Sequence, residues 1–293
     1  MNDSIRLGRI SGIPVGLHWS LLVFGVVVAT NLAGFFFPTF APGASSAVLL
    51  AAGAIAAALL SLSILAHEFG HALVARHHGV GTNGITLWML GGVARLTGEP
   101  RTPRHAFDIA VAGPLVSVAI AAAAGLSAVV SAVVGLPTLV VAVLGYLGAV
   151  NLGLAVFNML PALPLDGGRA LQAWKWHRNG DREVATVEAA QIGRRVAQGM
   201  IGLGMLQLFL GAGNGLWTAA LGLFVLWQAN GERRRAERII AARNRPQAAF
   251  DPLAFLRMVM QGPATGSPGT PGPRQAAPAE IIVIDPEDVR RNR

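Results

Sequence analysis

Two stretches of this sequence constrain the rest of it. Residues 10–66 and 109–165 contain no Asp, Glu, Lys or Arg. A third and shorter stretch, 196–231, also lacks them. A helix needs about 20 apolar residues to cross a bilayer, so each longer stretch has room for two crossings. Both carry helix breakers near the middle: Pro38, Pro42 and Gly43 in the first, Gly135 and Pro137 in the second. The third breaks between Gly211 and Gly215. The pattern predicts three helical hairpins in an all-α polytopic membrane protein of about six transmembrane helices. Their expected limits are 14–36, 46–76, 108–133, 138–164, 192–210 and 216–231. The last two are short for a bilayer. Arg6 and Arg9 ahead of an apolar run imitate a secretory signal. That run is longer than a signal-peptide core and has no clear cleavage site, so it reads as a retained first span.

Charge placement gives the orientation. Only 13% of residues are charged, against about 25% in an average soluble domain. Every Lys and Arg falls before residue 10, within 76–104, within 169–195 or after 231. The turns inside the uncharged stretches carry none. The positive-inside rule therefore makes those basic ends cytosolic, and both termini with them. The net charge of +8 is then a topology signal, and no nucleic-acid partner is expected. Zero Cys excludes a disulfide scaffold and any thiolate site. A single Lys among so many Arg, with abundant Ala and Gly, reads as a high-GC bacterium and hence a bacterial inner membrane. Three segments result: a membrane domain at 1–231, a basic cytosolic helical segment at 232–260, and a disordered Gly- and Pro-rich tail at 261–293.

Chemistry enters at the end of the second span. His67-Glu68-Phe69-Gly70-His71 is an H-E-x-x-H motif. Residues four apart share a helix face, so both imidazoles can reach one ion. Glu68 sits about 100° round the axis from His67, placed to act on a water beside the ion rather than on the ion. Ionisable groups inside a span are costly and mark function. Zinc requires a third protein ligand and an open position. Asp166 is the only carboxylate ending an otherwise uncharged span, in Asn158-Met-Leu-Pro161-Ala-Leu-Pro164-Leu-Asp166-Gly167-Gly168. The prolines break the helix there, and broken backbone at membrane depth is tolerated where it lines a cavity. Depth agrees as well. At 1.5 Å per residue, His71 and His67 lie about 7 and 13 Å inside Arg76, and Asp166 lies three residues before Arg169. Spans two and four run in the same direction, so both ligand sets fall in the cytosolic half of the membrane.

These residues resemble the site-2 protease family of intramembrane zinc metalloproteases. The resemblance covers about residues 10–231 and is carried by AHEFGHALVARHHGV and FNMLPALPLDGGRAL, with LWMLGGVARL and IAVAGPLVS between them. It implies one Zn2+ per chain held by His67, His71 and Asp166, with Glu68 as general base. Asn158 matches the family's Asn ahead of the Asp-Gly pair, where it would stabilise the oxyanion or hold substrate. The expected substrate is a transmembrane segment of another protein, such as a membrane-tethered regulator of the anti-sigma-factor kind. Many relatives carry CBS domains after the last span or a PDZ domain between spans. No segment here reads as either, so regulation by them is not expected.

A helical substrate must unwind before hydrolysis. Residues 85–97 read as two short strands, Ile85–Leu90 and Val93–Thr97, turning on Gly91-Gly92. This small membrane-associated β-hairpin could take unwound substrate along its edge, with Gly91, Gly92 and Val93 as contacts; a plain membrane-dipping loop is the competing reading. Gly113-Pro114 is expected to allow close packing near the site. His18 reads as interfacial; His77, His78, His105 and His177 border the cytosol, and most of them read as solvated. Two other functions stay open: a metal or ion transporter, and a catalytically silent regulator that binds transmembrane helices.

Overall fold

The computed structural model describes residues 4–89, 91–211, 213–245 and 260. The chain begins with a β-hairpin, β1 (Ser4–Ile10) and β2 (Ile13–His18). Ser11 and Gly12 at its turn have φ of 51° and 80°, the positive pair that a two-residue hairpin turn requires. β2 runs parallel to β3 (Thr82–Trp88), with Val15 opposite Ile85 and Leu17 opposite Leu87. β3 then pairs antiparallel with β4 (Gly91–Leu96). The four strands form one sheet in the order β1-β2-β3-β4.

Three expectations change here. The protein is mostly helical but not all-α, because the expected hairpin is half of a four-stranded mixed sheet. The first span does not begin at residue 14. Residues 13–18 pair with strands on both sides, and Pro14 and Gly16 are poor helix formers that a strand near a turn accepts. The hairpin turn also moves. Trp88 pairs with Gly91, Leu87 with Gly92 and Thr86 with Val93, so the glycine pair lies inside β4 and not at the turn. Leu90, expected to end the first strand, lies outside the described residues.

The helices follow in order. α1 (Ser20–Asn31) continues through a wider turn at Leu32–Phe36 and a tight one at Phe37–Thr39. Then come α2 (Ser46–His77), α3 (Pro103–Val133), α4 (Thr138–Asn158), α5 (Asp166–Asn179), α6 (Arg182–Phe209) and α7 (Gly215–Arg243). The turns inside the second and third hairpins fall where the sequence places them, with Gly135 and Gly211 at φ of 76° and 75°. Ser45 caps α2 by accepting from the Val48 N–H at 3.4 Å, and Thr102 caps α3 by accepting from the His105 N–H at 3.2 Å.

Four helical segments are long and apolar enough to cross a membrane: Ser20–Thr39, Ser46–His77, Pro103–Val133 and Thr138–Asn158. The fourth stops at Asn158 rather than 164, ahead of Pro161 and Pro164. α6 begins already at Arg182 and α7 runs on to Arg243, so each joins an apolar half to a charged half. Residues 246–259 and the expected disordered tail at 261–293 lie outside the described residues.

Packing converges on the ends of α2 and α4. The sheet lies on α2, with Ile13, Leu21, Ala72, Ile85 and Leu87 in one core that Phe69 and Ala94 flank. Behind the broken segment 159–165, Ala162 shares a core with Ala197 of α6 and Val225 of α7. Leu163 packs with Ala189 and Ala190. α6 and α7 cross closely through small residues: a Cβ at Gly204 would meet the backbone of Gly215 and Ala219.

Candidate metal centre

α2 brings His67 and His71 onto one face, and the first residue of α5 brings Asp166 to them. His67 Nε2 and His71 Nε2 lie 3.2 Å apart. Asp166 Oδ2 lies 3.3 Å from the first and 3.4 Å from the second. Four ligands arranged tetrahedrally at the usual zinc distances of 2.0–2.1 Å stand about 3.3 Å from one another. The three atoms thus form one face of a zinc-sized tetrahedron. Among the described residues these three form the one group of His, Asp and Glu able to share a metal. The donor set, two imidazoles and a carboxylate, suits zinc and leaves the fourth corner for water or substrate. His67 is buried, whereas His71 and Asp166 keep 13% and 15% of their side-chain surface exposed.

α3 holds the imidazoles from behind. His71 Nδ1 lies 2.7 Å from the Ile109 carbonyl, and His67 Nδ1 lies 2.9 Å from Ser117 Oγ. An Nδ1–H that donates to an oxygen leaves Nε2 with the free lone pair a metal needs. Ile109, Gly113 and Ser117 are spaced i, i+4, i+8 and lie along one face of α3. A Cβ at Gly113 would collide with both Nε2 atoms, so the expected close packing at Gly113-Pro114 is present at the site. Gly70, inside the motif, brings α2 against the Ala112 carbonyl in the same way.

Asp166 is placed by backbone against backbone. A Cβ at Gly167 would strike the Met159 carbonyl, and one at Gly168 would strike Ala162 and Leu163. The broken segment folds tightly over the start of α5, and only glycine fits there. Asn158 ends α4 one residue before Met159, which puts it in the same corner of the chain as Asp166. Glu68 lies under β4: a Cβ at Gly92 would clash with its Cγ and Cδ. Gly92 therefore serves close approach to Glu68 rather than a turn, with Gly91 and Val93 beside it on the outer strand of the sheet.

Other expected residues fall as follows. His18 is half-buried at the end of β2, with Nδ1 2.8 Å from Ser20 Oγ. That oxygen accepts from the Met89 N–H at 3.1 Å, tying the start of α1 to the end of β3. His77 and His177 are exposed as expected. His78 and His105 are not simply solvated: the first turn of α3 folds over the last turn of α2. Their rings stack at 4.1 Å, and His78 Nε2 meets Asp108 at 3.1 Å. Ser117 and the Ile109 carbonyl did not stand out in the sequence. The readable signal was a polar residue one turn after Gly113, on the face that the glycine opens.

The fold and the centre define a mostly helical protein with a site of the zinc-peptidase type. The model of Peptidase family M50 matches residues 55–140 and 131–200. The putative zinc metalloprotease Rip3 of Mycobacterium tuberculosis is 43% identical over 236 residues, covering 80% of this chain and 60% of that protein. The putative zinc metalloprotease sll0528 of Synechocystis is 37% identical over 244 residues, covering 81% and 62%. The solved site-2 protease from Methanocaldococcus jannaschii aligns with a TM-score of 0.51 and 31% identity, over 78% of this chain and 95% of that one. The chain belongs to the M50, or site-2 protease, family. With its apolar helices, that makes it an integral membrane protein. It spans about 60% of the length of the curated relatives it matches.

Proposed function

We propose that this chain is an intramembrane zinc metalloendopeptidase that hydrolyses a peptide bond within or near a transmembrane segment of another protein. The observation that carries the proposal is the triangle of His67, His71 and Asp166, with Glu68 on the same helix one residue from His67. Zinc, when bound there, supplies Lewis-acid polarisation of the scissile carbonyl and acidifies water. Glu68 takes the proton from the attacking water and returns it to the leaving amine. The Asn158 amide donates a hydrogen bond to the developing oxyanion. Unwound substrate adds along the outer edge of β4, where Gly91, Gly92 and Val93 present it to Glu68.

The reading extends to topology and partner. α6 and α7 complete six spans through their apolar halves, both termini face the cytosol, and the membrane is the bacterial inner membrane. The substrate is a membrane-tethered regulator of the anti-sigma-factor kind. Quantitative proteomics of native membranes tests this. Cells carrying Glu68→Gln are expected to accumulate the same tethered fragments as cells lacking the protein. Membranes indistinguishable from wild type in both would refute the proposal. Transport activity that survives Glu68→Gln but not Asp166→Ala would favour the transporter reading.

A further inference from the structure

We infer that Ser117 is a positioning residue that sets the zinc affinity of this chain by fixing the ring of His67. The inference rests on the zinc reading of the site and deepens it. A serine buried in a membrane helix usually gives its hydroxyl to its own helix. Ser61 does so with the Ala57 carbonyl at 2.9 Å, and Ser63 with the Leu60 carbonyl at 2.8 Å. Ser117 is fully buried, yet its oxygen reaches across to another helix, 2.9 Å from His67 Nδ1. The two ligand imidazoles are therefore held differently. His71 leans on a backbone carbonyl, which no side-chain substitution removes. His67 leans on a hydroxyl that a single substitution deletes.

The hydroxyl acts in two ways. As acceptor for Nδ1–H it selects the tautomer with the lone pair on Nε2. As a fixed point on α3 it stops the ring turning about its own axis, so Nε2 keeps its 3.3 Å spacing to Asp166. Gly113, one turn earlier on the same face, supplies the clearance, because any Cβ there would meet the same Nε2 atoms. α3 thus reads as acceptor, gap, acceptor along Ile109, Gly113 and Ser117, a template matching the four-residue spacing of the histidines on α2.

The test is a chelator-competition titration of zinc on the detergent-solubilised full chain. It compares wild type, Ser117→Ala, Ser117→Thr and Ser131→Ala. Ser131 is a buried serine further along α3 and controls for loss of a buried hydroxyl. Ser117→Ala is expected to weaken zinc binding about 10–100-fold. Ser117→Thr, which keeps the acceptor, should stay within a few-fold of wild type, and Ser131→Ala should match wild type. Three results would overturn the inference: zinc affinity unchanged in Ser117→Ala, a well-folded Ser117→Thr as weak as the alanine variant, or equal losses in Ser117→Ala and Ser131→Ala. An unchanged Ser117→Ala above a zinc-loaded wild type leaves the proposed function standing. A wild type that takes up no zinc overturns both.

Discussion

The two histidines and the aspartate reach the same point by different means. His67 and His71 ride on α2, an unbroken 32-residue helix, where helical spacing alone puts them side by side. Asp166 opens α5 just after a segment that two prolines keep out of helix, and its position depends on how tightly that segment folds onto Gly167 and Gly168. One pair of ligands is local and rigid, and the third is made by tertiary packing. The lesson is that the aspartate side should fail through its support, whereas the histidine side should fail only where α3 is pressed into it.

The largest effect is expected at that pressure point. Gly113→Val puts branched bulk where both Nε2 atoms lie, and elemental analysis should find zinc lost entirely. Gly168→Ala comes next. Its methyl meets the backbone of Ala162 and Leu163, which cannot move aside as a side chain can, so Asp166 is displaced. Zinc affinity should fall about 100-fold, the upper end of what removal of a ligand's support costs, while both histidines stay in place. Gly193→Ala probes the same corner from outside. There the new Cβ would sit 3.1 Å from Ala162 and Leu163, a contact relieved by a small shift of α6. A loss of a few-fold in the same titration is expected, and a loss as large as that of Gly168→Ala would show that the corner has no slack.

The smallest effect lies at the start of α6, which backs the corner. Asp181 accepts from the Glu183 and Val184 N–H groups at 2.9 and 3.1 Å and pairs with Arg243 at 2.5 Å. The Val184 N–H, then Arg243, holds its carboxyl below the ordinary value of 3.8. A lowered carboxylate stabilises the fold above that ordinary value and loses the contribution as pH falls below it. Asp181→Ala should cost about 1 kcal/mol, as for a lost helix cap, read as a lower melting temperature near neutral pH. The difference from wild type should narrow as pH falls below 3.8, and zinc binding should be untouched.

How much could be read in advance follows the same division. His67, Glu68 and His71 were legible because four-residue spacing on a helix is a local rule. Asp166 was legible because a lone carboxylate ends an uncharged run beside prolines and glycines. β1 and β2 were not. Arg6 and Arg9 look like the basic flank of a span, and the apolar run 13–18 merges with α1 in any hydropathy reading. Pairing with β1 across the Ser11-Gly12 turn and with β3, distant in sequence, makes it a strand. Gly91 and Gly92 looked like a turn because adjacent glycines usually are one. Gly92 is instead required by Glu68 beneath it, a contact between elements that spacing does not encode. Ser117 was hidden for the same reason.

The central claim is that three residues from two distant parts of the chain hold one zinc. Elemental analysis of the purified, detergent-solubilised protein beside Asp166→Ala tests it most directly. About one zinc per chain in the wild type, falling sharply in the variant, is the result this geometry predicts. A folded wild type that binds none when zinc is supplied, or an Asp166→Ala protein that keeps its zinc undiminished, would contradict it.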